Sequence, residues 1–334
     1  MQITCWGVRG SIPAPAPETQ RHGGNTSCVA VEAEDRVLII DAGTGIRPLG
    51  RELRGTDKAI YIVLTHVHSD HVEGFPFFEP LYERGRPIHL VDHVHDGTRW
   101  SLLEQLDGFH FPLEPGALPA DLHRVETDAV SYLNDRGFSL SRRPVNHPGG
   151  AYGYRLGLGG RTVVHIPDNE IEPPGDAVAP FDAMVNFCAG ADVLVHDAQY
   201  AAADVPEKAG WGHSTLPDVC RLAREAGVGH LVLFHHLLTA AALILELEDV
   251  KAGAGAQRRA DFTGVHVRGV FREQGGHFRR RAPPQVPAFQ RELTFGIRRC
   301  CLAEVRTLAQ LLHQLAGTLA GLLHFFGRGL RGHA

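Results

Sequence analysis

The feature that most constrains this chain is a seven-residue stretch, Thr65-His66-Val67-His68-Ser69-Asp70-His71. Three imidazoles and a carboxylate fall within six residues. Residues 59–64 in front of it are apolar and rich in β-branched side chains, the signature of a buried strand. Residues 76–82 behind it read as the start of a helix. The stretch therefore lies on a strand-to-helix loop, where a rigid scaffold can aim side chains into a cleft. Neutral imidazole and carboxylate are suitable donors for Zn²⁺, Fe²⁺ or Mn²⁺. One short loop cannot wrap a single ion with all four groups, and alternate residues point to opposite sides. The pattern predicts a pair of ions sharing the loop. A surface loop that is merely His-rich is the alternative, but HxHxDH directly after an apolar strand is too specific a pattern for it.

The other ligand-type residues are spread along the chain at the ends of predicted strands. Strand 36–40 ends in Asp41-Ala42-Gly43-Thr44-Gly45 before a helix over 46–53. Asp41 has two readings, a cap for that helix or a partner that orients a metal-bound histidine. His147 follows Val145-Asn146, and Asp168 follows a strand over 161–166, with Gly159-Gly160 turning the hairpin between them. A strand over 191–197 ends at Asp197. Gly212-His213-Ser214-Thr215 precedes a helix over 216–225, and Ser214 or Thr215 can cap it. Strand 230–234 runs into His235-His236. Alternating strands and helices, with a polar residue at each strand end, predict an α/β layered protein with its site on one rim. His89, His93, His95, His110 and His123 have no partner motif and read as surface or packing residues. The run Asp92-His93-Val94-His95-Asp96 looks metal-like.

Composition sets the limits. A chain of 334 residues, 43% hydrophobic and 21% charged, suits one large soluble domain or one domain with an appendage. Six cysteines without a CxxC pair, and no secretory pattern in the opening residues, predict a reducing, cytoplasmic setting. Histidine, at 21, is more abundant than packing requires. Residues 1–239 carry 19 Lys and Arg against 31 Asp and Glu, whereas residues 240–334 carry 14 against 7. An acidic body argues against the broad phosphate-tracking surface that long nucleic acids need.

Taken together, the Asp41 turn, THVHSDH, His147 ahead of Gly153-Tyr154-Arg155, Asp168, HDAQY at 196–200, GHST at 212–215 and His235-His236 form an ordered set over roughly residues 1–240. That set resembles the metallo-β-lactamase-fold hydrolases, in the branch that holds tRNase Z and small cyclic-phosphodiester hydrolases. The resemblance implies an αββα sandwich, here with a helical C-terminal extension, and a binuclear metal centre. It implies that His66, His68 and His147 hold one ion, that Asp70, His71 and His235 hold the other, and that Asp168 bridges them. His236 stays open as the alternative to His235. The resemblance gives the metal-like run Asp92-His93-Val94-His95-Asp96 no role. It also implies a proton relay of Asp197 and His213, with Asp in place of the more usual Glu, and counts Asp70 among the catalytic groups. The cofactors expected are two divalent ions, Zn²⁺ first, with Mn²⁺ or Fe²⁺ also accepted by such a His/Asp set. Two such ions bring a bridging water to a pKa of about 7 and polarise a phosphoryl oxygen, while His213 protonates the leaving oxygen.

The substrate follows from what is missing. tRNase Z enzymes carry a protruding tRNA-gripping arm between the positions matching His147 and Asp168. Only 20 residues separate them here, enough for one hairpin. The expected partner is therefore a small phosphodiester such as a cyclic nucleotide, and tRNA 3′-processing is disfavoured. Lactone, thioester or β-lactam hydrolysis on the same fold is the main alternative, against which GHST and Asp197 argue. His68 argues against a flavodiiron-like redox module, which has Glu at that position. The complete ligand set argues against a non-catalytic sensor.

Beyond His236 the chain departs from the family pattern, with Leu237-Leu238-Thr239 where Asp-Pro is common. A helix over 241–251 and residues 265–271 are expected to complete a domain spanning 1–278. Residues 279–334 read as a linker and a helix with one apolar face, from Leu308 to Phe326. Polar residues on its other side exclude a membrane span. Packing on the domain or on a second copy, as a homodimer, is the expected use, with membrane-surface attachment as the weaker alternative.

Overall fold

Residues 28–32 and 36–40 alternate between two buried environments. Val29, Val31, Leu38 and Ile40 pack into one apolar layer, and Cys28, Ala30, Val37 and Ile39 into another. A strand buried on both faces needs a cover on each, and the architecture supplies both. The structure is a computed structural model that describes residues 2–19, 23–201, 203–235, 244–246 and 267–269. All of these fall in the first of two units, Met1–Gln274 and Gly275–Ala334.

In chain order the elements are β1 (Gln2–Gly7), β2 (Cys28–Glu32), β3 (Arg36–Ile40), α1 (Ile46–Leu53), β4 (Ala59–Val63) and the single turn α2 (Ser69–Val72). Then come β5 (Pro87–Val91), β6 (His93–His95), β7 (Thr98–Trp100), β8 (Asp121–Val125), α3 (Ala129–Asn134) and the strands β9 (Ser139–Val145), β10 (Ala151–Leu158) and β11 (Arg161–Ile166). The series ends with α4 (Phe181–Cys188), β12 (Val193–Asp197), α5 (Val205–Lys208), α6 (Leu216–Glu225), β13 (His230–Phe234), β14 (Ile244–Glu246) and β15 (Val267–Gly269).

Two sheets result, ordered β15-β1-β2-β3-β4-β5-β8 and β14-β13-β12-β11-β10-β9, with β6 and β7 a separate hairpin. Their facing sides share one core, in which Val31, Leu38 and Val63 of the first sheet meet Leu156, Val195 and Phe234 of the second. The outer face of the first sheet is covered by Ile46, Leu49 and Leu53 of α1 with Phe75, Phe78 and Leu81. The outer face of the second is covered by Met184 and Cys188 of α4 and by Val219, Leu222 and Ala223 of α6. This is the expected αββα sandwich.

Strand direction places the site. β3, β4, β5 and β8 are mutually parallel, as are β11, β12 and β13. Antiparallel pairing of β9 and β11 on either side of β10 gives those two strands the same sense. Asp41, His66, His147, Asp168, Asp197 and His235 each follow or end one of these strands. α/β architecture gathers such residues at the carboxyl ends of its strands.

Two expectations fail. Residues 76–82 do not start a helix but form two 3₁₀ turns, Phe75–Phe77 and Glu79–Tyr82. Pro76 and Pro80 each sit in a first turn, and Pro80 has neither the N–H nor the room to continue a helix from the turn before it. Within the helix expected over 241–251, Ile244–Glu246 is instead the edge strand β14, antiparallel to β13. An open sheet edge offers unpaired backbone groups that override local helical propensity. The remainder of 241–251, the linker over 279–285, the helix after Leu308, Cys300 and Cys301 lie outside the described residues. Cys5, Cys28, Cys188 and Cys220 are free thiols. No described helix is long and apolar enough to cross a membrane.

Fully buried Tyr154 on β10 donates from its hydroxyl to the carbonyl of Leu64, at the end of β4 in the other sheet (2.8 Å). Tyr154→Phe is expected to lower the unfolding free energy by about 1 kcal/mol, read as a reduced urea midpoint. An unchanged midpoint would show that this inter-sheet bond contributes nothing.

Candidate metal centre

The THVHSDH loop divides its side chains because its backbone changes conformation midway. His68 is extended (φ −63°, ψ 152°), and α2 begins at the next residue. His66 and His68 therefore precede the helical turn, while Asp70 and His71 lie within it. His66 and His68 gather with His147, and Asp70 and His71 gather with His235; within each group the ligand atoms lie within 4.8 Å of one another. Asp168 stands between the groups, with Oδ2 at 3.7 Å from His66 Nε2, 3.8 Å from His147 Nε2 and 3.3 Å from His235 Nε2. Its Oδ1 is 3.2 Å from His71 Nε2. The structure thus brings all seven expected ligand residues together, at the rim where the parallel strands end.

The rings are held from behind. His71 Nδ1–H donates to Asp41 (2.8 Å), His147 Nδ1–H to the carbonyl of Gly212 (2.9 Å), and His235 Nδ1–H to Gln199 Oε1 (2.5 Å). A proton fixed on Nδ1 leaves the Nε2 lone pair facing inward, the arrangement that metal-ligating histidines adopt. His66 Nε2, His71 Nε2 and Asp168 Oδ1 are buried without a hydrogen bond of acceptable geometry. Such atoms are costly to leave unsatisfied, and cations held in this cluster would satisfy all three. The donor set fits divalent metals.

Charge supports the same fit. Burial, with neighbouring His71, holds His66 well below the usual histidine range, and burial holds His147 near 4. Burial lowers His68 as well. These three are neutral imidazoles, the form that can donate a lone pair. At Asp168 burial opposes ionisation, yet the imidazoles of His235, His71 and His66 hold it well below the usual carboxylate range. Burial likewise opposes the charge on Asp70, and His71 and His235 outweigh it. His71 shows the converse: burial disfavours its charge, but Asp168, Asp41 and Asp70 raise its pKa well above the usual value. That corner selects for a positive charge.

Asp197 is fully buried and accepts from the backbone N–H groups of Asn169 (3.0 Å) and Ser214 (3.0 Å). Its Oδ2 lies 3.3 Å from Nδ1 of His213. Burial alone would lower the pKa of His213, but the hydrogen bond and charge of Asp197 raise it. Thr215, with its side chain on the N–H of Asp218, caps α6 and fixes where this loop ends. An open cleft of about 410 Å³ is lined by Ser11, Val67, His68, Ser69, Asp70, Asp168, His213 and His235, with no Lys or Arg among them.

Of the two readings of Asp41, the cap fails: α1 has Gly45 as its N-cap and no side-chain cap, and Asp41 instead binds Thr65 and His71. His236 lies outside the described residues. His89, His93, His95, His110 and His123 join no ligand group among the described residues. His89, for example, stacks between Tyr61 and His123. Sequence reasoning missed Gln199 behind His235, Glu170 under the His213 loop, and Ser11, whose N–H donates to Asp70 Oδ2 (2.7 Å). The Gln in HDAQY was the one visible signal. Glu170 and Ser11 had none.

Residues 36–236 match the family described as the beta-lactamase superfamily domain, and the chain belongs to that family. It is a metal-dependent hydrolase of the metallo-β-lactamase fold. Among its relatives is a ribonuclease Z of Haloarcula marismortui, 28% identical over 318 residues, which cover 78% of this chain and 97% of the relative. A ribonuclease Z of Methanosarcina acetivorans is 27% identical over 277 residues, 70% of this chain and 87% of the relative. The crystal structure of the metallo-beta-lactamase fold protein YhfI from Bacillus subtilis superposes with a TM-score of 0.50 at 21% identity, covering 70% of this chain and 86% of that one.

Asp41→Asn should weaken zinc binding by roughly 10–100-fold, the usual cost of losing a group that orients a ligand histidine. Competition with a chromophoric chelator measures this, and an unchanged affinity would free His71 from dependence on Asp41.

Proposed function

We propose that the protein hydrolyses small phosphodiesters, such as cyclic nucleotides, at a two-ion centre. His66, His68 and His147 would hold one ion and Asp70, His71 and His235 the other, with Asp168 reaching both. When bound there, divalent ions such as Zn²⁺ or Mn²⁺ supply Lewis acidity, polarising a phosphoryl oxygen and acidifying water near neutral pH.

The observation that carries the reading is the pair Asp197–His213 at the wall of the same cleft. Cleavage of an unactivated phosphodiester expels an alkoxide, which needs a proton. Asp197 favours the charged form of His213 and orients it, so the imidazolium can protonate that leaving oxygen, a contribution typically of 10²–10⁴-fold. Asp168 and Asp70 supply the fixed negative charge that retains cations beside it. Thioester hydrolysis, which expels a thiolate, makes less use of such a donor.

The size of the substrate rests on the interval between His147 and Asp168. It is filled by the β10–β11 hairpin, turned by Gly159 (φ +56°) and Gly160 (φ +80°), and leaves no residues for a gripping arm. The cleft lining has no Lys or Arg to follow a nucleic-acid backbone. Ile12 and Trp211, 63% and 60% exposed, stand one and two residues from Ser11 and His213 and offer apolar surface for the organic part of an ester. A second reading, RNA 3′-processing, is favoured by the relatives named ribonuclease Z.

Zinc- or manganese-loaded protein should turn over bis(p-nitrophenyl) phosphate and cyclic nucleotides faster than a 3′-extended tRNA precursor. Preferential cleavage of the precursor would overturn the small-substrate reading, and turnover of lactones or thioesters alone would overturn the phosphodiester reading. Asp168→Ala should lose both metal content and activity; normal occupancy by two ions in that variant would refute its shared role. His213→Ala should retain its metals and slow turnover of an alkyl diester by roughly 10²–10⁴-fold, and an unchanged rate would remove His213 from the mechanism.

A further inference from the structure

Glu170 is a buried carboxylate two residues beyond Asp168, and neither the metal ligands nor the proton donor accounts for it. Its side chain takes the N–H of Gly210 (2.9 Å to Oε1, 3.0 Å to Oε2) and the N–H of Gly212 (2.9 Å to Oε2). Both glycines are left-handed, at φ +86° and +84°, a conformation that L side chains rarely adopt. At Gly212 a Cβ would also stand 2.3 Å from Nδ1 of His147. The chain thus spends two glycines and one buried anion to hold a single bend, and that bend leads directly into His213.

The other end of Glu170 is fixed as firmly. Its backbone N–H donates to the carbonyl of Asn146 (2.8 Å), and its carbonyl accepts from Asn146 Nδ2 (2.9 Å). Asn146 immediately precedes His147, whose Nδ1–H is held by the carbonyl of Gly212. Glu170 therefore sits between the segment that carries His147 and the loop that carries His213, bonded to both. A neutral side chain could meet these N–H groups without the cost of burying a charge. A carboxylate bonds them more strongly, since charge-assisted bonds are about twice as strong as neutral ones.

We infer that Glu170 is a positioning residue that sets the place of His213 relative to the metal ligands, acting through the backbone of Gly210 and Gly212. The inference rests on the reading of His213 as proton donor. It predicts a particular kind of defect. If the bend relaxes, proton delivery suffers while the ions still bind, so the loss appears only where the leaving group needs a proton.

The test compares wild type, Glu170→Gln and Glu170→Ala at saturating zinc, with two bound ions confirmed by metal analysis, on two substrates. One is bis(p-nitrophenyl) phosphate, whose leaving group departs without a proton; the other is an unactivated diester that expels an alkoxide, a dialkyl phosphate or a cyclic nucleotide. Glu170→Gln keeps the volume and removes the charge, so it decides the matter should the alanine variant fail to fold. Both variants should stay within about threefold of wild type on the aryl ester and fall at least about tenfold on the alkyl ester, part of the range for a lost general acid. An equal loss on both substrates, or no loss, overturns the inference. His213→Ala is the reference. If it shows no leaving-group dependence, the proton-donor reading has failed. If it does and the Glu170 variants do not, the fault lies with the role given to Glu170.

Discussion

The rim of this protein is governed by carboxylates removed from water. Asp41, Asp70, Asp168 and Asp197 are at most 6% exposed, and they sit at the ends of strands from both sheets or beside them. A buried charge is tolerable only when it is paired and hydrogen-bonded. Here the partners are imidazoles and backbone N–H groups, and they come from segments as distant in sequence as Ser11 and His235. The parallel runs β3–β4 and β11–β12–β13 are what bring those segments to one edge.

Within that edge the histidines divide by charge. His66, His68 and His147 are kept neutral by burial, whereas His71 lies among three carboxylates and is driven toward the charged form. The pKa of His213 is raised chiefly by Asp197, with Asp168 and Asp70 adding to it. One residue type is thus kept neutral at one place and pushed toward the charged form at another, by the balance of burial and neighbouring carboxylates around each ring. This is the separation of roles by environment on which acid–base chemistry at neutral pH depends.

The layered fold and the main cluster were legible in the sequence because their signals are local. An apolar strand followed by HxHxDH needs no distant information, and strands alternating with helices, with a polar residue at each strand end, already give the layered class. His147, Asp168 and His235 became readable only through the order of motifs along the family, since each alone is an ordinary strand-end residue. Asp41 was ambiguous because capping and orienting a histidine use the same side chain at the same strand end; the contact with His71, thirty residues away, decides it. Glu170 could not be read at all. Its meaning depends on two glycines forty residues later, and nothing local marks it. The short-range errors have the same origin in reverse: helical periodicity in 241–251 yields at Ile244–Glu246 to a sheet edge that only the folded chain provides.

The β10–β11 turn has a consequence for how such a protein can change. Gly159 and Gly160 have open space around their α-carbons, and the turn lies at the opposite end of the hairpin from His147 and Asp168. Extra residues inserted there would lengthen the protein's reach without altering a single group at the rim. The length of that turn and the arrangement of the rim are thereby separate variables, and a loop can grow or shrink there while the groups at the strand ends are kept intact.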